Sequence, residues 1–193
     1  MYLIIDVETT GLPLRSRSLP KYQESEKYDS ARIVQFTSLL CDKEYNEIEL
    51  LDHVIKLDSN IHISNSQFHG ITDEISQSTG VEFSVVAENF KEQLVQCSHI
   101  IAHNIDFDVN IIKSELYRMN RLDIIELIDK KSLLCTMHHT KNMVNKQGQY
   151  GIKFPTLAEL YEYAFNEPLQ NAHNSKYDVL NLHKIIKHLN LII

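Results

Sequence analysis

The apolar run Tyr2-Leu3-Ile4-Ile5 leads directly into Asp6-Val7-Glu8, two carboxylates one residue apart. Strand side chains alternate faces, so Asp6 and Glu8 point the same way. Like charges side by side at the edge of a core repel, and burial strengthens the repulsion. A divalent cation between them relieves it, which makes this segment half of a metal site. The following Thr9-Thr10-Gly11-Leu12-Pro13 also suits a strand that is simply leaving for solvent.

Further acids recur where ligands are commonly held. His103-Asn104-Ile105-Asp106-Phe107-Asp108 falls where a short apolar run gives way to a helical stripe. Open α/β sheets bind ligands at that kind of junction. Near the end comes His173-Asn174-Ser175-Lys176-Tyr177-Asp178. Each segment has a structural alternative. Asp106 and Asp108 suit a helix N-terminus, an effect worth about 0.3–1 kcal/mol, and Ser175-x-x-Asp178 could be a capping-box variant. Cys135-x-x-His138 is a lone metal-like pair without a second pair at finger spacing, so zinc is not expected. Asp6 and Glu8 are too close to flank a sugar bond as glycosidase carboxylates do.

The elements that must position these residues are legible in outline. Tyr2–Val7 reads as a first strand, and Pro13–Ser30, with Arg15, Arg17, Lys21 and Lys27, as a long polar loop. Arg32–Cys41 and Glu47–Leu57 read as strands joined by a hairpin at Asp42–Asn46, giving an antiparallel meander. Phe83–Cys97 carries a helical stripe through Val86, Phe90 and Leu94. His99–Ala102 is a short strand, Asn104 a helix cap, and Val109, Ile112, Leu116 and Met119 the stripe of a helix over Ile105–Asn120. Ser132–Met137 reads as another strand. Thr156 and Glu159 form a capping box ahead of Leu157, Leu160 and Tyr161, and a last helix carries Val179, Leu182, Ile186 and Leu189. A meander followed by strand–helix alternation implies an α/β fold, a mixed sheet flanked by helices in one domain over residues 1–193.

Composition narrows the class. The chain has 193 residues, 43% of them hydrophobic and 23% charged, as in ordinary globular proteins. Cys41, Cys97 and Cys135 are odd in number and scattered, which suits reduced thiols and a cytoplasmic setting. Neither a signal peptide nor a membrane-spanning run is expected. A net charge of −7 disfavours nucleic acid at first sight. Between Lys130 and Ala158, however, lie Lys130, Lys131, Lys141, Lys146 and Lys153 without any acid, together with His138, His139, Tyr150 and Phe154. This is either a solvated loop or a track for a phosphate-bearing strand.

Asp6-x-Glu8, His103-Asn104-x-x-Phe107-Asp108 and His173 with Asp178 resemble, in order and separation, the three motifs of the DEDDh 3′–5′ exonucleases. This is the superfamily of the epsilon proofreading subunit of bacterial DNA polymerase III. Ala31-Arg32-Ile33-Val34-Gln35 and Phe68-His69-Gly70-Ile71-Thr72-Asp73-Glu74 also resemble family members, so the likeness runs from Tyr2 to about Leu189.

The resemblance implies a ribonuclease H-like fold. It implies Asp6, Glu8, Asp108 and Asp178 as ligands of two Mg²⁺ or Mn²⁺ ions, with His173 as general base and Asp106 as a bystander. Thr9, Leu12, His69, Asn104 and Phe107 become the candidates for gripping the terminal nucleotide, with Leu12 as a wedge against the bases. Hard ions prefer oxygen ligands, and bound cations reconcile an acidic protein with a polyanion. The expected activity is hydrolysis at DNA 3′ ends, single strands preferred. The alternatives are an exoribonuclease like RNase T or oligoribonuclease, and a non-catalytic nucleic-acid-binding module. With the last helix close to Ile193, no polymerase-tethering tail is expected, only a loose association, and weak phosphate contacts imply distributive digestion.

Overall fold

The computed structural model describes residues 1–14 and 18–191. Its elements in chain order are β1 (Tyr2–Thr9), a 3₁₀ turn (Ser25–Tyr28), β2 (Ile33–Cys41), β3 (Glu47–Val54), α1 (Ser66–His69), α2 (Asp73–Thr79), α3 (Phe83–Gln96) and β4 (His99–Ala102). There follow α4 (Ile105–Arg118), α5 (Leu122–Asp129), β5 (Ser132–Cys135), α6 (Thr136–His139), α7 (Lys141–Val144), the hairpin β6 (Gln147–Gly148) and β7 (Gly151–Ile152), α8 (Leu157–Phe165) and α9 (Ser175–His188).

Five strands form one sheet in the order β3-β2-β1-β4-β5. The pairs β3/β2 and β2/β1 are antiparallel, and β1/β4 and β4/β5 are parallel. The expected mixed sheet with a three-strand meander is therefore present, with helices on both faces. β1 is central and covered on both sides, which is why its sequence is an unbroken apolar run rather than an alternation. Leu3, Ile5 and Val7 face a core shared with Phe36, Phe90 and Val109. Ile4 faces a second core with Leu39, Ile101, Leu182 and Ile186. α9 thus covers the face on which Asp6 and Glu8 also lie, two and four residues beyond Ile4.

Several expectations change at the element ends. The strand expected over Ser132–Met137 stops at Cys135, because Thr136 turns the chain into α6 and its buried Oγ1 donates to Ala102 O. Asn104 occupies the cap position of α4 but adopts left-handed φ +79°, and its side chain makes no capping bond. The cap of α9 is Asn174, whose Oδ1 accepts from Tyr177 N, so Ser175 does not open a capping box. The Thr156–Glu159 box is formed, as are the Asp42–Asn46 hairpin and the stripes of α3, α4 and α9. The loop after Pro13 contains the 3₁₀ turn, while Arg15 and Arg17 lie outside the described residues.

α4 is anchored as well as packed. The Arg32 guanidinium donates through Nε and Nη2 to both carboxylate oxygens of Glu115, at 2.5 and 3.0 Å, tying the start of β2 to the back of α4. Leu182 is buried in the core beneath α9, so Leu182→Ala should cost about 2–5 kcal/mol of unfolding free energy. Urea titration monitored by circular dichroism measures this.

Candidate active site

Asp6 and Glu8 project from the end of β1 toward the first turn of α9, where Asp178 stands. One oxygen from each of these three carboxylates lies within 4.8 Å of the others. Asp108 reaches the same strand end from α4, on the opposite face of the sheet. It is buried, and its Oδ1 accepts the Val7 N–H at 3.1 Å. Asp178 Oδ2 accepts the His173 N–H at 3.2 Å, closing the turn that precedes α9. The remaining Asp178 oxygen, Oδ1, is buried without a hydrogen-bond partner among the described residues.

Charge governs this cluster. Burial pushes Asp6 well above the usual carboxylate range, reinforced by Asp108, Asp178 and Glu8. Burial, then the charge of Asp178, lifts Glu8 from 4.5 to about 7. Burial lifts Asp178 from 3.8 to about 6 against the lowering influence of the His173 N–H and ring. Asp108 is also raised by burial, with the Val7 N–H opposing. Converging hard oxygen donors, one of them orphaned, fit a divalent cation of the Mg²⁺ or Mn²⁺ kind. Asp6, Glu8 and Asp178 are the residues that would hold it, with Asp108 behind them.

Beside the carboxylates opens a cleft of about 280 Å³ lined by Glu8, Thr9, Leu12, Phe107 and His173. Leu12 is 62% exposed, an unusual state for leucine next to a polar site. Thr9 Oγ1 donates to Gly11 O at 2.7 Å and shapes the turn. His69 is buried one layer behind the cleft, its Nε2 paired with Asn65 Oδ1 at 3.2 Å. Asn104 lies at the head of α4 outside the cleft lining. Asp106 faces another cleft with Cys135 and His138, away from the carboxylates.

Among the lining residues absent from the sequence-based set are Asn65 and Phe68. Asn65 donates Nδ2 to Thr9 O at 3.0 Å, and so fixes the turn after β1. Phe68, 58% exposed, meets the His173 ring edge-on at 6.1 Å between centroids. In the sequence its signal is its place directly before His69, in a stretch that resembles family members.

This sheet, with acids at the ends of β1, α4 and α9, is the arrangement of a DEDD-type exonuclease domain. The chain belongs to the RNase_T exonuclease family, whose model matches residues 3–186. Members of that family are divalent-metal dependent. Among solved structures the chain is similar to E. coli Exonuclease I in complex with a dT13 oligonucleotide (TM-score 0.75, 19% identity, 98% of this chain and 41% of that one). It is likewise similar to the zinc-bound form of the E. coli Exonuclease I–single-stranded DNA complex (TM-score 0.76, 19% identity, 99% and 40%). A third match is the moderately thermophilic Exonuclease I of Methylocaldum szegediense (TM-score 0.72, 19% identity, 98% and 40%). The chain spans about two fifths of the length of these proteins. No curated protein sequence matches it. Among the described residues, no helix is long and apolar enough to cross a membrane.

The raised carboxylates have a measurable consequence. Glu8 between pH 4.5 and about 7, and Asp178 between pH 3.8 and about 6, hold protons in the folded chain that the unfolded chain has released, so metal-free stability falls as pH rises through these windows. Thermal melts in chelator should show this fall relative to a Glu8→Gln, Asp178→Asn variant. Mn²⁺ should raise the native melting temperature more at pH 7.5 than at pH 5. A native-minus-variant difference that is flat with pH contradicts the assignment.

Proposed function

We propose that the chain is a DEDDh-type, metal-dependent 3′–5′ exonuclease that releases nucleoside monophosphates from DNA 3′ ends, acting as one domain over residues 1–193. The observation that carries this reading is the convergence of Asp6, Glu8 and Asp178 beside a cleft lined by Leu12, Phe107 and His173. Asp6, Glu8, Asp108 and Asp178 would hold two Mg²⁺ or Mn²⁺ ions. When bound, these supply charge neutralisation for the phosphate and a lowered pKa for the attacking water.

The chain's own groups do the rest. His173 is exposed at the cleft, on a backbone with φ +65°, and accepts the proton from the attacking water as general base. Phe68 stands against its ring and limits the positions it samples. Leu12 wedges against the terminal base, and Phe107 forms the opposing apolar surface. Thr9, held by Asn65, contacts the terminal nucleotide within the cleft, with His69 supporting Asn65, while Asn104 stands outside the cleft lining. The DNA-bound Exonuclease I structures on the same fold support a single-stranded substrate.

The lysine-rich segment supports a strand path, with changes to its membership. His103 bonds Thr136 Oγ1 at 3.1 Å and Pro155 O at 2.9 Å, tying residues 136–155 to the strand end that carries Asn104. Lys131 is engaged by Cys97 O and Lys153 by Glu159, both within 3 Å. Phe154 is not free to stack, since Lys141 lies 4.4 Å and His138 4.6 Å from its ring centroid. Lys141, Lys146 and Tyr150, the last 94% exposed, form the contact surface.

The test is incubation with 5′-labelled single-stranded DNA, duplex DNA and RNA, with Mg²⁺, Mn²⁺ or chelator. A ladder shortening from the 3′ end is expected, abolished by chelator and by Asp6→Asn. His173→Ala should lower kcat by about 10²–10⁴-fold. Preference for RNA would reassign the substrate, and inactivity on every strand would favour a binding module. Lys141→Gln with Lys146→Gln should raise KM and flatten the salt dependence while leaving kcat in place.

A further inference from the structure

β2 is buried along its whole length, yet two of its residues facing α9, Gln35 and Thr37, are polar. Their places are not arbitrary. Across the β1–β2 ladder Thr37 pairs with Asp6 and Gln35 with Glu8, and across β2–β3 Thr37 pairs with Asp52. Asp52, Thr37 and Asp6 thus form one row over three strands.

Hydrogen-bond accounting gives these groups a direction. Asp52 Oδ1 accepts from Gln35 Nε2 at 2.8 Å and from Thr37 Oγ1 at 3.1 Å. A hydroxyl has one proton, so Thr37, donating to Asp52, accepts from Ser175 Oγ at 2.6 Å. Gln35 Oε1 accepts the Ser175 N–H at 3.3 Å, one of the free amides at the head of α9. The ring Asp52–Thr37–Ser175–Gln35 is closed. Lys176 adds a second tie, with Nζ 3.6 Å from Asp52 Oδ2. Ser175 is completely buried and lies two residues after His173 and three before Asp178. Apolar contacts from Val179, Leu182 and Ile186 set the depth of α9 on the sheet. They are non-directional and do not fix its slide along β2.

We propose that Asp52, acting through Thr37, Gln35 and Ser175, is a positioning residue that sets the register of α9, so that Asp178 and His173 meet the β1 carboxylates. Only its catalytic consequence rests on the exonuclease reading. The full chain is compared with Asp52→Ala, Asp52→Asn and Thr37→Val by hydrogen exchange, Mn²⁺ calorimetry and kinetics on 5′-labelled oligonucleotide. Asp52→Ala should speed exchange at Ser175–Asp178 but not in the second half of α9. It should weaken Mn²⁺ binding about 10–100-fold and lower kcat comparably at constant KM. Asp52→Asn keeps an acceptor oxygen for Thr37 and Gln35 and should recover most of each loss.

Native exchange and native Mn²⁺ affinity in Asp52→Ala would overturn the proposal. So would Asp52→Asn as impaired as Asp52→Ala, or a change confined to KM. If Asp52→Ala does not fold, Thr37→Val, which breaks the same ring while keeping the charge, decides by the same three readouts. If the native chain cleaves no strand, the functional reading fails, and exchange with Mn²⁺ affinity still decides the positioning role.

Discussion

Mutual repulsion among half-buried carboxylates is the constraint around which this molecule is arranged. At 4.8 Å and an effective dielectric constant of about 20, each ionised pair repels by about 3–4 kcal/mol. The backbone answers only in part. Asp108 and Asp178 each lie in the first turn of a helix and each accept a main-chain N–H. A helix N-terminus contributes about 0.3–1 kcal/mol per charge, so it reduces the conflict without resolving it. With burial, what remains raises the pKa values of Glu8 and Asp178, and it is the kind of conflict that a small divalent cation would relieve.

Holding such a cluster together requires rigid supports from more than one direction. β1 supplies two acids because it is the central strand, fixed by β2 on one side and β4 on the other. α4 and α9 bring the other acids from opposite faces of the sheet. Each helix is tied to β2 by polar side chains in addition to its apolar stripe: α4 through Arg32 and Glu115, α9 through Thr37, Gln35 and Ser175. Where β1 leaves the sheet its register with β2 slips, Glu8 facing Gln35 and Thr9 facing Ile33. This irregularity sits beside the cleft, a common position for a bulge that re-aims a side chain.

The sequence made some of this readable for identifiable reasons. Asp6 and Glu8 declare themselves because strand alternation places both on one face whatever the surrounding fold. The stripes of α3, α4 and α9 are readable because each spans fourteen residues. Asp108, His173 and Asp178 are readable only through their resemblance to family motifs, since each taken singly also suits the start of a helix. α1, with four residues, is too short for periodicity, so the cleft-lining roles of Asn65 at its cap and Phe68 within it are not readable from pattern. α5 was missed because its eight residues sit against Lys130 and Lys131, which read as the start of a loop. Gln35, Thr37 and Asp52 lay within runs that read as plain strands. Their meaning depends on cross-strand register and on a helix more than a hundred residues away, neither of which local pattern encodes.

The docking of α9 has a consequence for how this chain comes into being during synthesis. Residues up to Ala172 can already form the five-stranded sheet, but without α9 the Ile4, Leu39 and Ile101 face has lost its principal cover. The same late segment carries Asp178 and His173. A nascent chain that has not emerged through α9 therefore exposes the smaller of its two cores and has an incomplete acid cluster, and one docking event corrects both. Completion of the fold and assembly of the carboxylate cluster are the same step, so a partly made chain lacks both.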